Sequence, residues 1–191
     1  MTAEETNTFL ASDPDGFIAS LNRWDLFARR VKTKQEYINK ISRSGVECNV
    51  PRTLLDQADQ VFRSKGDSAI ADQPWLLAMT NGSYEDGYPH TRQNIIFLSG
   101  TVDVKTLVHE KLHIWHRYHP PNLTAMGFKY LKPRKGILRL RANPDVDGNV
   151  WEGFDKPMLA LYNSDRPMNI GDVDTDPLLE HPYECLAYNY L

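Results

Sequence analysis

The chain has 191 residues, of which 41% are hydrophobic and 25% are charged, and its formal net charge is −3. This length and composition fit one globular domain with a substantial core, and the weakly acidic charge gives no reason to expect nucleic acid as a partner. No stretch approaches the roughly 18 apolar residues of a membrane span, and the polar, acidic start lacks a signal-peptide pattern, so an intracellular location is the default expectation.

Residues 1–70 predict a helical lead-in to a core of strands and helices at 71–191, the two together forming a single domain. Residues 1–12 resemble a frayed terminus. A first helix is expected from residues 13–16 to about Val31, and the capping box at Thr33 and Glu36 predicts a second. Pro51 suits the first turn of a third helix, which Lys65-Gly66 ends.

Two apolar runs, residues 75–79 and 93–99, predict strands because the first is short and follows a proline and the second is rich in β-branched residues. The second run leads directly into the most informative helix of the chain. Further strands are expected at 137–141 and 158–162. The six basic residues between Lys129 and Arg141 are interpreted as the solvated side of a turn and strand.

The most informative helix contains the sequence His-Glu-Lys-Leu-His at residues 109–113. Residues four apart lie on one face of a helix, so His109 and His113 can offer two imidazole nitrogens to one zinc ion. Glu110 lies beside that face, where its carboxylate can accept a proton from a water on the metal. Apolar residues 104, 108, 112 and 115 form a separate stripe that predicts burial against a core. Thr101 or Asp103 is expected to cap this helix.

A catalytic zinc site needs a third protein ligand, and the residues alone leave several candidates open. His116 is about 10.5 Å along the helix axis from His109, which is too far for a compact site. His119 would need the chain to turn back before Pro120. The remaining candidates lie downstream; they are Asp172, Asp174, Asp176 and Glu184, with Glu180 as the nearest rival of Glu184.

The segment His181-Pro-Tyr-Glu-Cys-Leu-Ala187 resembles the third-ligand helix of gluzincin metallopeptidases, which carries a glutamate and, three positions later, a small residue. The chain also resembles small zincin-like proteins at residues 89–92, 107–120 and 141–145. His181 stands where the family more often has asparagine, and only seven residues follow Glu184.

This resemblance implies an α+β, zincin-like fold with N-terminal helices, a small twisted mixed sheet, an active-site helix and a C-terminal ligand helix. It implies a zinc site of His109, His113 and Glu184. The implied activity is hydrolysis of peptide bonds in a peptide or protein substrate, with Glu110 as general base. His181, Tyr162 and Tyr188 are the candidates for stabilising the oxyanion.

The strand at 93–99 is expected to form the edge of the cleft and to hold an extended substrate through its main chain, with Arg92 or His90 at the mouth. The substrate-binding residues expected there are Asn94, Ile95, Ile96 and Phe97. Two alternatives remain open at this point. One is a zincin-fold binding or structural protein in which the metal is only structural, and the other is a hydrolase of some amide other than a peptide bond.

Overall fold

A computed structural model describes residues 1–176 and 179–190. The fold is α+β, with small sheets and several helices, which confirms the expected class. The helices are α1 (Ala3–Ser12), α2 (Phe17–Ser20), α3 (Arg23–Ala28), α4 (Lys34–Ile41), α5 (Arg52–Ser64), α6 (Ser68–Ala71), α7 (Val104–Tyr118) and α8 (Pro182–Asn189). The strands are β1 (Gly45–Val46), β2 (Leu77–Thr80), β3 (His90–Arg92), β4 (Ile95–Ser99), β5 (Lys129–Pro133), β6 (Asn149–Gly153) and β7 (Lys156–Met158).

The larger sheet has the strand order β1-β2-β4-β3, in which β2 and β4 are parallel and the two outer strands are antiparallel to their neighbours. Helices cover both of its faces. Ile96 and Leu98 of β4 pack with α5 and α7, whereas Ile95 and Phe97 pack with α1 and α4. Burial on both faces explains why the sequence of β4 is continuously apolar rather than alternating.

The N-terminal segment differs from the expectation in two places. Residues 1–12 are not frayed, because Thr2 forms a capping box with Glu5 and α1 buries Leu10 in the core. The single helix expected to run to Val31 is also wrong. Leu21 has an extended ψ of 132°, and the Asn22 side chain starts a separate helix by accepting hydrogen bonds from the main-chain N–H groups of Trp24 and Asp25.

Several predicted elements are confirmed. Helix α4 follows Thr33, whose hydroxyl accepts a hydrogen bond from the Glu36 N–H, and α5 follows Pro51, which occupies the N-cap position. Strands β2 and β4 lie within the two predicted apolar runs. The helices in the described part of the chain are too short or too polar to cross a membrane.

The C-terminal half contains a second sheet, the antiparallel meander β5-β6-β7. The strand expected at 137–141 is wrong, because only Leu140 pairs there, in an isolated bridge to Leu161. The solvated interpretation of the basic cluster is also wrong for two of its members. Arg134 and Arg141 turn inward and form ion pairs with the fully buried Glu180.

Candidate metal centre

Helix α7 positions the candidate ligands through its cap and its apolar stripe. The side chain of Asp103 accepts a hydrogen bond of 2.8 Å from the Thr106 N–H, which confirms one of the two expected caps. Val108 and Leu112 are buried in the core beside the sheet. The register of the helix then brings His109 and His113 together on a different face, with their two Nε2 atoms 2.9 Å apart.

Glu184 of α8 faces both histidines. Its Oε2 lies 3.3 Å from His109 Nε2 and 3.5 Å from His113 Nε2. The three residues form a group that could hold a metal ion. The structure therefore brings together all three residues that the sequence analysis assigned to the metal.

The donor set fits zinc in chemistry and in spacing. Two imidazoles and one carboxylate are the ligand combination of many catalytic zinc sites. A tetrahedral ion with bonds of about 2.0–2.1 Å holds its donors roughly 3.3 Å apart, and the three separations here are 2.9, 3.3 and 3.5 Å. The donor atoms on α7 and α8 are thus separated by the distances that one small cation requires.

Glu184 owes its position to the start of α8 and to a neighbouring loop. His181 caps this helix by accepting a hydrogen bond of 3.1 Å from the Tyr183 N–H, and Pro182 occupies the first turn. Asn143 donates from Nδ2 to Glu184 Oε1 at 3.0 Å, which leaves Oε2 for the histidines. Glu180, the rival ligand, is instead bonded to Arg141 and Asn143.

Glu110 lies beside this group but outside it. The residue is 3% exposed, and no partner among the described residues bonds its Oε2. Glu110, His109 and Glu184 all line one cavity of about 590 Å³, whose lining also includes Tyr88 and Lys105. A buried carboxylate oxygen with unmet hydrogen-bonding capacity, on a residue that lines a cavity beside the candidate metal group, suits a group that receives a proton.

The electrostatics of the site couple these groups. Burial, and then repulsion from the Asp145 carboxylate, raises the pKa of Glu110 well above its ordinary value. Burial opposes the charged form of Glu184, but attraction to His113 and hydrogen bonds from both histidines outweigh it, so the pKa of Glu184 is lowered. Burial likewise opposes protonation of His113, yet the neighbouring carboxylates, Glu184 first, raise its pKa to about 9. Glu110, Asp145, Glu184 and the two histidines thus form one strongly interacting cluster.

The other ligand candidates lie elsewhere. His116 packs against the Tyr183 ring at 5.3 Å, and His119 stacks on Trp115 at 3.8 Å. Asp172 caps the turn at residues 168–171, and Asp174 accepts a hydrogen bond from the Leu161 N–H. Asp176 is absent from the group of possible ligands found in the described part of the chain.

Of the three candidates for stabilising an oxyanion, only Tyr188 lies at the cavity. Its ring contacts the His109 ring edge-on at 4.6 Å, and half of the residue is exposed. Tyr162 is buried away from the site and donates to Asp25 at 3.0 Å. His181 is held between the start of α8 and Asp147.

The predicted substrate-binding strand is not at the edge of the sheet. Strand β4 pairs with β2 on one side and with β3 on the other, so its main-chain groups are occupied and the edge assignment is wrong. Among the described residues, the cavity lining does not include Asn94, Ile95, Ile96 or Phe97. The last three are buried in the two hydrophobic cores instead.

The outer strand is β3, and it brings His90 to the cavity. Arg92, the other residue expected at the mouth, is buried in ion pairs with Asp13 and Asp15. Asn143 and Asp145 also line the cavity, and reasoning from single residues had given them no role. Both stand in stretches covered by the resemblance to zincin-like proteins, which was the one sequence signal that pointed to them.

Comparison of the chain with protein-family models, with curated proteins and with solved structures found no match. The functional assignment therefore depends on the geometry of the site itself.

Proposed function

We propose that this protein is a zinc-dependent metallopeptidase of the gluzincin type with a zincin-like fold. The observation that carries the proposal is the convergence of His109, His113 and Glu184 on one point beside Glu110, whose Oε2 has no bonding partner in the described residues. His109, Glu184 and Glu110 also line one cavity. Supporting features are the mixed sheet that precedes α7 and the separate helix that brings the third ligand.

His109, His113 and Glu184 would hold the ion. When bound, zinc supplies a Lewis acid that polarises the scissile carbonyl and lowers the pKa of the attacking water and of the nearby Glu110 carboxylate. Glu110 accepts the proton of that water as it attacks, and then passes the proton to the leaving amine. Tyr188, which lines the cavity and whose ring contacts His109, would donate its hydroxyl in a hydrogen bond to the developing oxyanion.

A purely structural metal is less well supported. Structural zinc sites are closed, usually by four protein ligands. The group in the described residues numbers three, and two of its members line an accessible cavity. The arrangement therefore favours a position left open for water and substrate.

The proposal is tested with Glu110→Gln. This variant should retain one equivalent of zinc and the wild-type melting temperature, because Glu110 is outside the ligand group, while turnover of a peptide library falls by at least about a hundredfold. His113→Ala should instead lose the zinc, and His119→Ala, on the same helix, should change neither property. A Glu110→Gln variant that cleaves the library as fast as the wild type would refute the assigned role.

A further inference from the structure

The outer edge of β3 is already occupied by side chains. The Thr91 N–H donates to Asp145 Oδ1 at 2.6 Å, and the Thr91 carbonyl accepts from Arg117 at 3.4 Å. Arg117 also donates to the carbonyl of Gln93. Pro89, which precedes the strand, has no N–H to offer. The Thr91 N–H and the carbonyls of Thr91 and Gln93, with which an added strand would pair, are therefore taken.

The side chains that occupy this edge are held by further contacts within the fold. Thr91 is fully buried, and Asp145 is 8% exposed. Asp145 also accepts a 2.6 Å hydrogen bond from the Thr91 hydroxyl, and Arg117 also donates to the Pro144 carbonyl at 2.8 Å. An extended peptide that paired with β3 would have to displace a buried carboxylate and leave it without its hydrogen-bond donors, which is costly.

The cavity differs from this strand edge, because not all polar groups that line it have a hydrogen-bond partner. His90 lines the cavity, is 4% exposed, and has no partner for Nε2 in the described residues. Its Nδ1 lies 2.9 Å from the Tyr88 carbonyl, which can only accept, so Nδ1 carries the proton of the neutral ring and Nε2 is an acceptor. A buried acceptor without a donor beside a cavity indicates where a ligand group binds.

We infer that this site receives its substrate as a compact ligand inside the cavity, a short amide or the end of a chain with a donor group for His90, and not as an extended strand along β3. The inference rests on the proposed zinc-dependent hydrolysis for the reaction itself. The cavity volume of about 590 Å³ lies within the range of roughly 300–1,000 Å³ for pockets that enclose small molecules.

The test compares two zinc-binding probes on the zinc-loaded protein by calorimetry. One is leucine hydroxamate, and the other carries the same group on a peptide longer by four residues. If the substrate binds within the cavity, the two dissociation constants should agree within about threefold, and amide exchange at Thr91 should not change. An open strand edge would add at least two main-chain hydrogen bonds, worth roughly tenfold. A tenfold or greater advantage of the long probe, with new protection at the β3 edge, overturns the inference.

The role of His90 is tested with His90→Phe, which keeps an aromatic ring next to Phe97 and removes Nε2. Leucine hydroxamate should bind roughly tenfold more weakly with the zinc content unchanged. His119→Phe, a matched replacement away from the cavity, should leave binding as it is. An unchanged affinity in His90→Phe overturns the assignment of His90. If the wild type takes up no zinc, the proposed function fails and this inference fails with it, whereas zinc uptake with preferred binding of the long probe refutes this inference alone.

Discussion

Asn143 and Glu184 are joined by a 3.0 Å hydrogen bond in which the amide Nδ2 donates to Oε1 of the carboxylate. The two residues are far apart in the chain, and the bond fixes which oxygen of Glu184 faces His109 and His113. Asn143 also donates to Glu180 at 3.2 Å. One amide therefore orients the Glu184 carboxylate, the proposed metal ligand, and connects it to the buried ion pairs of Glu180.

The first prediction concerns this orientation. Asn143→Ala should weaken zinc binding roughly tenfold to a hundredfold, because groups that orient a metal ligand typically contribute that much. Competition with a fluorescent chelator measures the dissociation constant. Asn39→Ala, in an exposed pair on α4 with Gln35, is the control and should bind zinc as the wild type does. Equal zinc affinities of the two variants would show that the hydrogen bond from Asn143 to Glu184 does not contribute to zinc binding.

The second prediction separates two glutamates that are four residues apart, Glu180 before the cap of α8 and Glu184 in its first turn. Glu184→Gln should lose most of its zinc affinity, since it removes the charged ligand. Glu180→Gln should keep most of that affinity but lower the free energy of unfolding by about 3–5 kcal/mol, because it leaves Arg141 and Arg134 without their buried partner. Zinc titration and urea denaturation of both variants measure the two effects, and the reverse pattern would mean that Glu180 is the ligand.

The third prediction is a dependence of stability on pH that arises from His116. Burial, and then the nearness of His113 and His181, lowers its pKa to about 4, whereas the unfolded chain takes up that proton near pH 6.5. Between these pH values the unfolded state therefore binds more protons than the folded state. The contribution of His116 to the free energy of unfolding is complete above about pH 6.5 and is lost as the pH falls towards 4. It amounts to at most about 3 kcal/mol.

His116→Leu should make the free energy of unfolding depend less on pH, which urea denaturation between pH 4 and 7 measures. His119→Leu, whose parent ring stacks on Trp115 near the end of the same helix, serves as the control and should keep the wild-type slope. Parallel curves for the wild type and His116→Leu would contradict the assignment.

The fourth prediction concerns the buried pair of Arg29 and Glu85 beneath the cavity. Arg29 is 1% exposed and bonds both oxygens of Glu85, which also accepts a 2.6 Å hydrogen bond from Tyr37. Arg29→Met should cost about 3–5 kcal/mol of unfolding free energy, because Glu85 is left buried without its cation. Arg63→Met removes an exposed ion pair and should cost less than about 1 kcal/mol. Similar losses in both variants would show that the buried pair contributes no more than a surface one.

Local signals in the sequence were sufficient to predict helix α7 and the pairing of its two histidines. The spacing of His109 and His113 and the cap at Asp103 depend only on neighbouring residues, and all of them appear as predicted. The break at Leu21 was missed because Asn22 competes with the helix through its side chain, and the apolar periodicity continues across it.

Long-range features could not be obtained in the same way. The edge assignment failed because β3 has three residues, too few to show a strand pattern, yet it covers β4. Arg134 and Arg141 turn inward because they form ion pairs with Glu180. Glu180 is distant in the chain, so no local pattern predicts these pairs. Only the family resemblance singled out Glu184, because no local pattern states which distant carboxylate meets a given helix.

Helix α8 ends on the N-terminal half of the molecule. The Tyr190 hydroxyl donates to Asp67 at 2.5 Å, and the Tyr190 ring packs on Phe62 of α5 at 5.3 Å. Strand β1 also pairs with β2 across the division expected near residue 70. Residues 1–70 are thus not a detachable lead-in. A fragment of residues 71–191 alone would lack the surface on which the helix that carries Glu184 packs.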